Sequence, residues 1–138
     1  MSNVYVKNRK PTGLEYYDVG TDLYIELRRV TGNPKIFPKR SLYTDVVPIL
    51  HLYDEMRGWI YRAQTRFPTD EKNLEIRKEY IQRAIEAGET LHGRIQDTVW
   101  VIPTVTPDSV EQVGILLQQE LGLLRGWKRH NKIQKNRK

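Results

Sequence analysis

An apolar residue recurs every three or four positions through most of the chain, and this spacing constrains the fold more than any other feature. It is clearest between positions 42 and 60, where the intervals between apolar residues are 4, 3, 4, 3 and 4. Such intervals place the apolar side chains on one face of an α-helix. The residues on this face are Leu42, Val46, Ile49, Tyr53, Met56 and Ile60.

Pro48 lies within this segment, and proline has no backbone N–H to donate to a helical hydrogen bond. The helix either starts near Thr44 with Pro48 in its first turn, or it has a kink or a short separate turn at the proline. We favour the kink or the short preceding turn, because the apolar spacing continues through the proline. We expect the helix to end before Phe67.

Three other segments have the same periodicity, so the segment just described is the second of four along the chain. The first segment covers positions 14–30 and is stopped by the sequence Gly-Asn-Pro that follows. The third segment starts with Thr69 as its N-cap and runs to about Trp100. The fourth segment starts with Thr106 as its N-cap and Pro107 at its first position. The third segment also has a seven-residue repeat, typical of bundle packing, at Leu74, Ile81, Gly88, Ile95 and Ile102.

Three glycines lie inside the last helix, where each costs about 1 kcal/mol relative to alanine. We expect Gly114, Gly122 and Gly126 to allow close approach of another backbone. Four amphipathic helices with short connections predict an all-α protein, an up-down-up-down four-helix bundle.

Composition excludes several classes of site. The 138 residues contain no cysteine, which excludes disulfides, thiolate metal sites and cysteine nucleophiles. The sequence contains no apolar stretch of about 18 residues and no apolar signal segment at its start. We therefore expect a soluble, cytoplasmic protein that contacts no membrane.

Positive charge is concentrated at the two ends. The region 14–127 has 14 Lys and Arg against 17 Asp and Glu, whereas 1–13 and 128–138 have no acidic residue. We interpret 14–127 as the bundle and the ends as basic arms, disordered in isolation and suited to binding polyanions such as nucleic acid. The predicted nucleic-acid-binding residues are Lys7, Arg9, Lys10, Arg125, Lys128, Arg129, Lys132, Lys135, Arg137 and Lys138. Further basic residues that extend this surface, or are simply solvated, are Arg28, Arg29, Lys39, Arg40, Arg62 and Arg66.

Motifs for catalysis or metal binding are sparse. Glu89 and His92 have the Glu-x-x-His spacing of carboxylate metal sites, but a di-metal bundle site needs two such motifs. We therefore predict no metal and no cofactor. One alternative is catalytic: Arg125 and His130 resemble the Arg-x4-His signature of HEPN ribonucleases. That resemblance implies metal-independent RNA cleavage, with His130 as acid or base and Arg125 holding the oxyanion. Those enzymes usually carry a polar residue where Gly126 stands.

The order of features resembles a second family more closely. Phe37-Pro38-Lys39 with Tyr43 precedes the second helix, the third helix is long, and Leu123-Leu124-Arg125-Gly126-Trp127-Lys128 closes the fourth. These features resemble the four-helix-bundle superfamily that comprises the accessory variability determinants (Avd) of diversity-generating retroelements and the proteins encoded in 23S rRNA intervening sequences. The Gly-Trp-Lys ending is nearer to the Avd branch, and the resemblance covers about 14–128.

Membership of the Avd branch implies a non-enzymatic subunit that forms a homopentamer. It also implies that the chain contacts a reverse transcriptase and binds the retroelement's template-repeat RNA, and its cDNA in turn, to support mutagenic cDNA synthesis. We take this accessory role as the expected function and the HEPN-like ribonuclease as the alternative.

Overall fold

Four α-helices account for most of the chain that the structure describes. A computed structural model describes residues 15–134, in which α1 spans Glu15–Thr31, α2 Val47–Thr65, α3 Glu71–Val101 and α4 Pro107–His130. No strand occurs within 15–134, so the predicted all-α class is confirmed. The N-terminal arm 1–13 and the last four residues, 135–138, lie outside the described residues.

The connection between α1 and α2 contains two short turns of other helical types. A 3₁₀ turn at Lys39–Ser41 leads into a π-helical turn at Leu42–Val46, and Pro48 is then the second residue of α2. Pro48 therefore occupies a position where no helical N–H is required. The short separate turn expected before the proline is present. The apolar face of this segment is buried from Val46 to Ile60, while Leu42 is 43% exposed.

The two predicted N-caps have different outcomes. Thr106 caps α4 as predicted, accepting a hydrogen bond from the Ser109 backbone N–H while the Ser109 hydroxyl accepts from the Thr106 N–H. The prediction of Thr69 as the cap of α3 is wrong. Asp70 is the cap, because α3 begins one residue later and the Asp70 carboxylate accepts from the backbone N–H of Asn73 at 2.8 Å.

The expectation for the α4 glycines is also wrong. A Cβ atom placed on Gly114, Gly122 or Gly126 would meet nothing within 4 Å. At the contact between α3 and α4 the close approach is instead at Gly88 of α3, since its Cβ would lie 2.7 Å from Cδ2 of Leu121. Close contact between α3 and α4 therefore depends on a glycine of α3.

Helix α3 packs against both α2 and α4, and α1 packs mainly against α4. Late in α3, Arg94 contacts Asp45 of the turn that leads into α2, at 3.5 Å. Early in α3, the ring of Tyr80 lies 5.5 Å from the ring of Trp59, in the second half of α2. These neighbours therefore run in opposite directions. The core between the helices includes Leu23, Leu27, Ile49, Met56, Ile60, Ile81, Leu91, Leu117, Leu121 and Leu124, all at most 1% exposed.

Two hydrogen bonds tie the connections together at opposite ends of α3. The Thr104 hydroxyl, after α3, donates to the carbonyl of Ile36 in the α1–α2 connection at 2.7 Å. The backbone N–H of Gln134, after α4, donates to the carbonyl of Pro68 in the α2–α3 connection at 2.8 Å. No helix between residues 15 and 134 combines the length and apolarity needed to cross a bilayer.

Candidate nucleic-acid interface

Charge is strongly polarised within the described part of the chain. Segments 59–83 and 124–134 together carry ten Lys and Arg against four Asp and Glu. Segments 15–58 and 84–123 carry seven Lys and Arg against thirteen Asp and Glu. The hydrogen bonds from Gln134 to Pro68 and from Lys128 to Gln82 place the two basic segments side by side. We call the surface formed by 59–83 and 124–134 the basic surface.

An open groove between α3 and α4 lies on the basic surface and has a volume of about 450 Å³. The Lys128 ammonium donates to the side-chain oxygen of Gln82 at 2.8 Å, which holds the lysine along the groove. Arg125 forms an ion pair with Glu89 across the groove, so these two charges largely neutralise each other. The remaining cations on its lining are Lys78, Lys128 and Arg129.

Arginines stack on aromatic rings on both flanks of the first half of α3. On one flank the guanidinium carbons of Arg62 and Arg83 lie 4.4 Å and 5.1 Å from the Trp59 ring centroid. On the other flank Arg77 lies 5.0 Å from the centroid of Trp127. Stacking on a ring orients the planar guanidinium, so that less side-chain entropy is lost when its N–H groups bind a phosphate. Cations interleaved with aromatic rings are the composition of surfaces that bind single-stranded nucleic acid.

The structure places four of the ten predicted nucleic-acid-binding residues on the basic surface, at the end of α4. Arg125, Arg129 and Lys132 are exposed, and Lys128 is half-buried. The other six, which lie outside the described residues, are Lys7, Arg9, Lys10, Lys135, Arg137 and Lys138.

The six further basic residues divide between two regions. Arg62 and Arg66 belong to the basic surface, and Arg66 donates to the Asn73 side chain at 3.1 Å. Arg28 and Arg29 lie at the end of α1 and bond to Tyr24 and Glu26 of their own helix. Lys39 and Arg40 are exposed in the α1–α2 connection. The last four therefore do not join the basic surface.

Sequence reasoning missed Arg77, Lys78 and Arg83, which the structure places beside the predicted cations of α4. A usable signal was present in the linear order of charges. Segment 84–123 contains a single Lys or Arg, Arg94, whereas 59–83 contains six. Counting charges over shorter windows than 14–127 reveals this asymmetry.

The alternative catalytic pair is placed on one helix. Residues five positions apart differ by about 140° around a helix axis, so Arg125 and His130 project from different sides of α4. Arg125 is paired with Glu89, while His130 is exposed in the last turn. Joint action on one phosphate therefore requires Arg125 to leave Glu89.

A buried polar cluster lies between α1, α2 and α4, away from the basic surface. The Glu120 carboxylate is 0% exposed and lies 3.7 Å from the Arg57 guanidinium. Burial raises the pKa of Glu120 to about 8, although the positive charge of Arg57 opposes this. The Tyr53 hydroxyl donates to the Gly20 carbonyl at 2.8 Å, and burial raises the pKa of that hydroxyl as well. Because these groups are buried, they bear on stability rather than on ligand binding.

Comparison of the chain with protein-family models, with curated proteins and with solved structures found no match. The similarity to the Avd branch therefore depends only on the short motifs described above. Within residues 15–134, no group of three or more His, Asp and Glu side chains is placed to hold a metal ion.

Proposed function

We propose that this chain is a non-enzymatic RNA-binding accessory subunit of a diversity-generating retroelement, built as an up-down-up-down four-helix bundle. The observation that carries RNA binding is the basic surface, where ten cations outnumber four carboxylates around stacked arginines and tryptophans. The partners in this proposal are the template-repeat RNA, its cDNA, a reverse transcriptase and four further copies of the chain in a homopentamer.

Single-stranded or irregular RNA is the form of RNA that fits the basic surface best. Binding cations to phosphates releases condensed counterions, which gives affinity without sequence preference. Exposed bases can then stack on the planar guanidinium groups of Arg62 and Arg83, which are exposed, a contact that a continuous duplex does not offer. Assembly of several copies places several basic surfaces on one RNA, and this raises the overall affinity by multivalency.

The test neutralises three cations at the end of α4. In a Lys128→Gln, Arg129→Gln and Lys132→Gln triple variant, the slope of log K against log salt for a single-stranded RNA should decrease by about 2, since each lost phosphate contact contributes about 0.7. Between 50 and 200 mM salt, the wild-type chain should then lose about 20-fold more affinity than the variant. Fluorescence anisotropy of labelled RNA measures both quantities.

A matched control removes the same charge elsewhere. Lys35, Lys39 and Arg40 are exposed in the α1–α2 connection, so their triple replacement by glutamine should leave the salt slope close to the wild-type value. Equal slopes for both triple variants would show that binding depends on net charge and not on the basic surface. Failure of the wild-type chain to bind RNA at low salt would reject the proposal.

The same RNA separates the accessory role from the ribonuclease alternative. Under the accessory role, the purified chain leaves the RNA intact in the presence of a chelator. Cleavage that persists with the chelator and disappears in His130→Ala would instead establish the HEPN-like activity. The retroelement assignment predicts co-purification with a reverse transcriptase and a pentameric mass in sedimentation. A monomer at micromolar concentration would reject the pentamer.

A further inference from the structure

A large apolar area is exposed at the end of α3, remote in sequence from the basic surface. Trp100 is 88% exposed and Val101 is 72% exposed in the last turn of this helix. Tryptophan is strongly buried on average in folded proteins. Adjoining exposed apolar side chains of this size mark surfaces where another molecule binds.

A groove between the end of α3 and the start of α4 lies beside Trp100 and has a volume of about 470 Å³. Ile95, Val99, Val110 and Leu117 supply apolar lining. Gly114 forms part of the wall, and a Cβ atom there would meet nothing within 4 Å. The groove is therefore open at that point and wide enough to accept an apolar side chain. We call it the Trp100 groove.

Glu111 lines the Trp100 groove, and two further acidic residues lie next to lining residues in sequence. Asp97, Asp108 and Glu111 are exposed, and Asp97 lies three positions before Trp100, on the same side of α3. Segment 84–123 has one Lys or Arg and six Asp and Glu, of which Glu120 is buried in the core and Glu89 is paired with Arg125. That single cation, Arg94, is held by the Asp45 carboxylate and the Thr44 carbonyl. The negative charge around the groove is therefore not neutralised by Lys or Arg within the segment.

We propose that the Trp100 groove is the docking site for a cationic amphipathic segment of a partner protein. Apolar side chains of that segment pack on Trp100 and enter the groove, while its Lys and Arg side chains pair with Asp97 and Glu111. The charge complementarity selects this occupant, because the acidic rim repels RNA phosphates and acidic peptides. The inference does not depend on RNA binding, which uses the basic surface.

The test uses a synthetic helical peptide of leucine and lysine, with leucines at i, i+3, i+4 and i+7, titrated into the full chain by calorimetry. We expect saturable binding of one peptide per chain, weakened by salt. A peptide of the same pattern with glutamate in place of lysine should not bind. Trp100→Ala should lower the affinity about 30-fold, as expected for a central tryptophan anchor. Its thermal stability should be unchanged, because the side chain is exposed.

A second variant blocks the groove without weakening the fold. Gly114→Lys places a long cationic side chain into the groove, and lysine is a better helix former than glycine. It should fold at least as stably as the wild type and bind the peptide at least about tenfold more weakly. Both variants should bind single-stranded RNA with wild-type affinity, so a failure here is distinct from a failure of RNA binding.

Three results would overturn the proposal. One is the absence of saturable binding of the leucine–lysine peptide at low salt, or equal binding by the wild type and Trp100→Ala. A second is peptide binding that appears only after deletion of 1–13, which would make the chain's own arm the occupant. The third is that Trp100→Ala loses self-association while the peptide does not compete with self-association of the wild type, which would make the groove a contact between copies.

Discussion

The stability of the fold should decrease between pH 5 and pH 7 because of one buried carboxyl group. Glu120 is 0% exposed, and the Arg57 guanidinium lies 3.7 Å away, beyond ordinary hydrogen-bonding distance. Burial therefore outweighs the attraction of Arg57 and raises the pKa of Glu120 to about 8. The folded chain retains this proton at a pH where the unfolded chain, with a glutamate pKa near 4.5, has released it.

The sign and size of this change in the free energy of unfolding follow from proton linkage. A group that binds its proton more tightly in the folded state contributes stability that is complete below about pH 4.5 and is lost as the pH rises towards about 8. Each pH unit within this window costs up to about 1.4 kcal/mol. Between pH 5 and pH 7 the free energy of unfolding should fall by about 2.5 kcal/mol through Glu120 alone.

The assay is urea unfolding of the wild type and of Glu120→Gln at several pH values from 5 to 7. Glutamine has nearly the same shape and does not titrate, so the difference between the two free energies isolates residue 120 from the other carboxyl groups. We expect the wild type to lose stability relative to the variant as the pH rises. If the wild type instead gains stability relative to the variant as the pH rises, the ion pair with Arg57 outweighs the effect of burial on Glu120. If the difference in the free energy of unfolding is constant, Glu120 keeps one protonation state from pH 5 to pH 7.

Two matched pairs of variants test the packing and capping of the helices. Gly114→Ala should raise the free energy of unfolding by about 1 kcal/mol, because nothing contacts the added methyl; Gly88→Ala should lower it by about 1 to 3 kcal/mol, because the methyl meets the buried Leu121. Equal effects in urea unfolding would contradict this account of the α3–α4 contact. Asp70→Ala should cost about 1 kcal/mol by loss of the α3 cap, whereas Thr69→Ala should be nearly neutral. A larger loss from Thr69→Ala in thermal unfolding would refute the assigned cap.

The number and approximate bounds of the helices were predictable, because both depend on local patterns. Apolar spacing identified all four segments, and the cap at Thr106 set the start of α4. Local patterns do not identify the N-cap where two adjacent residues can both accept the capping hydrogen bond. Thr69 and Asp70 are both good caps, and the choice between them depends on where α3 begins.

Which faces of the helices meet depends on packing across the whole chain. The glycines of α4 and Gly88 of α3 have the same local signature, but only Gly88 lies against a neighbouring side chain. Arg57 and Glu120 each lie next to apolar seam residues, and the sequence contains no indication that they would meet in the core. Such pairings are decided by the summed contacts of whole helices and not by nearby residues.

Some features of the candidate interface are likewise set by local sequence, and others are set by packing between distant segments. The sequence by itself determined the four amphipathic helices, the cations at the end of α4 and the uneven order of charges along the chain, since these depend on residues close together in sequence. Only the tertiary structure placed 59–83 beside 124–134 and left Trp100 exposed at the acidic end of α3. The physical reason is that packing between distant segments determines which side chains become neighbours and which remain in water.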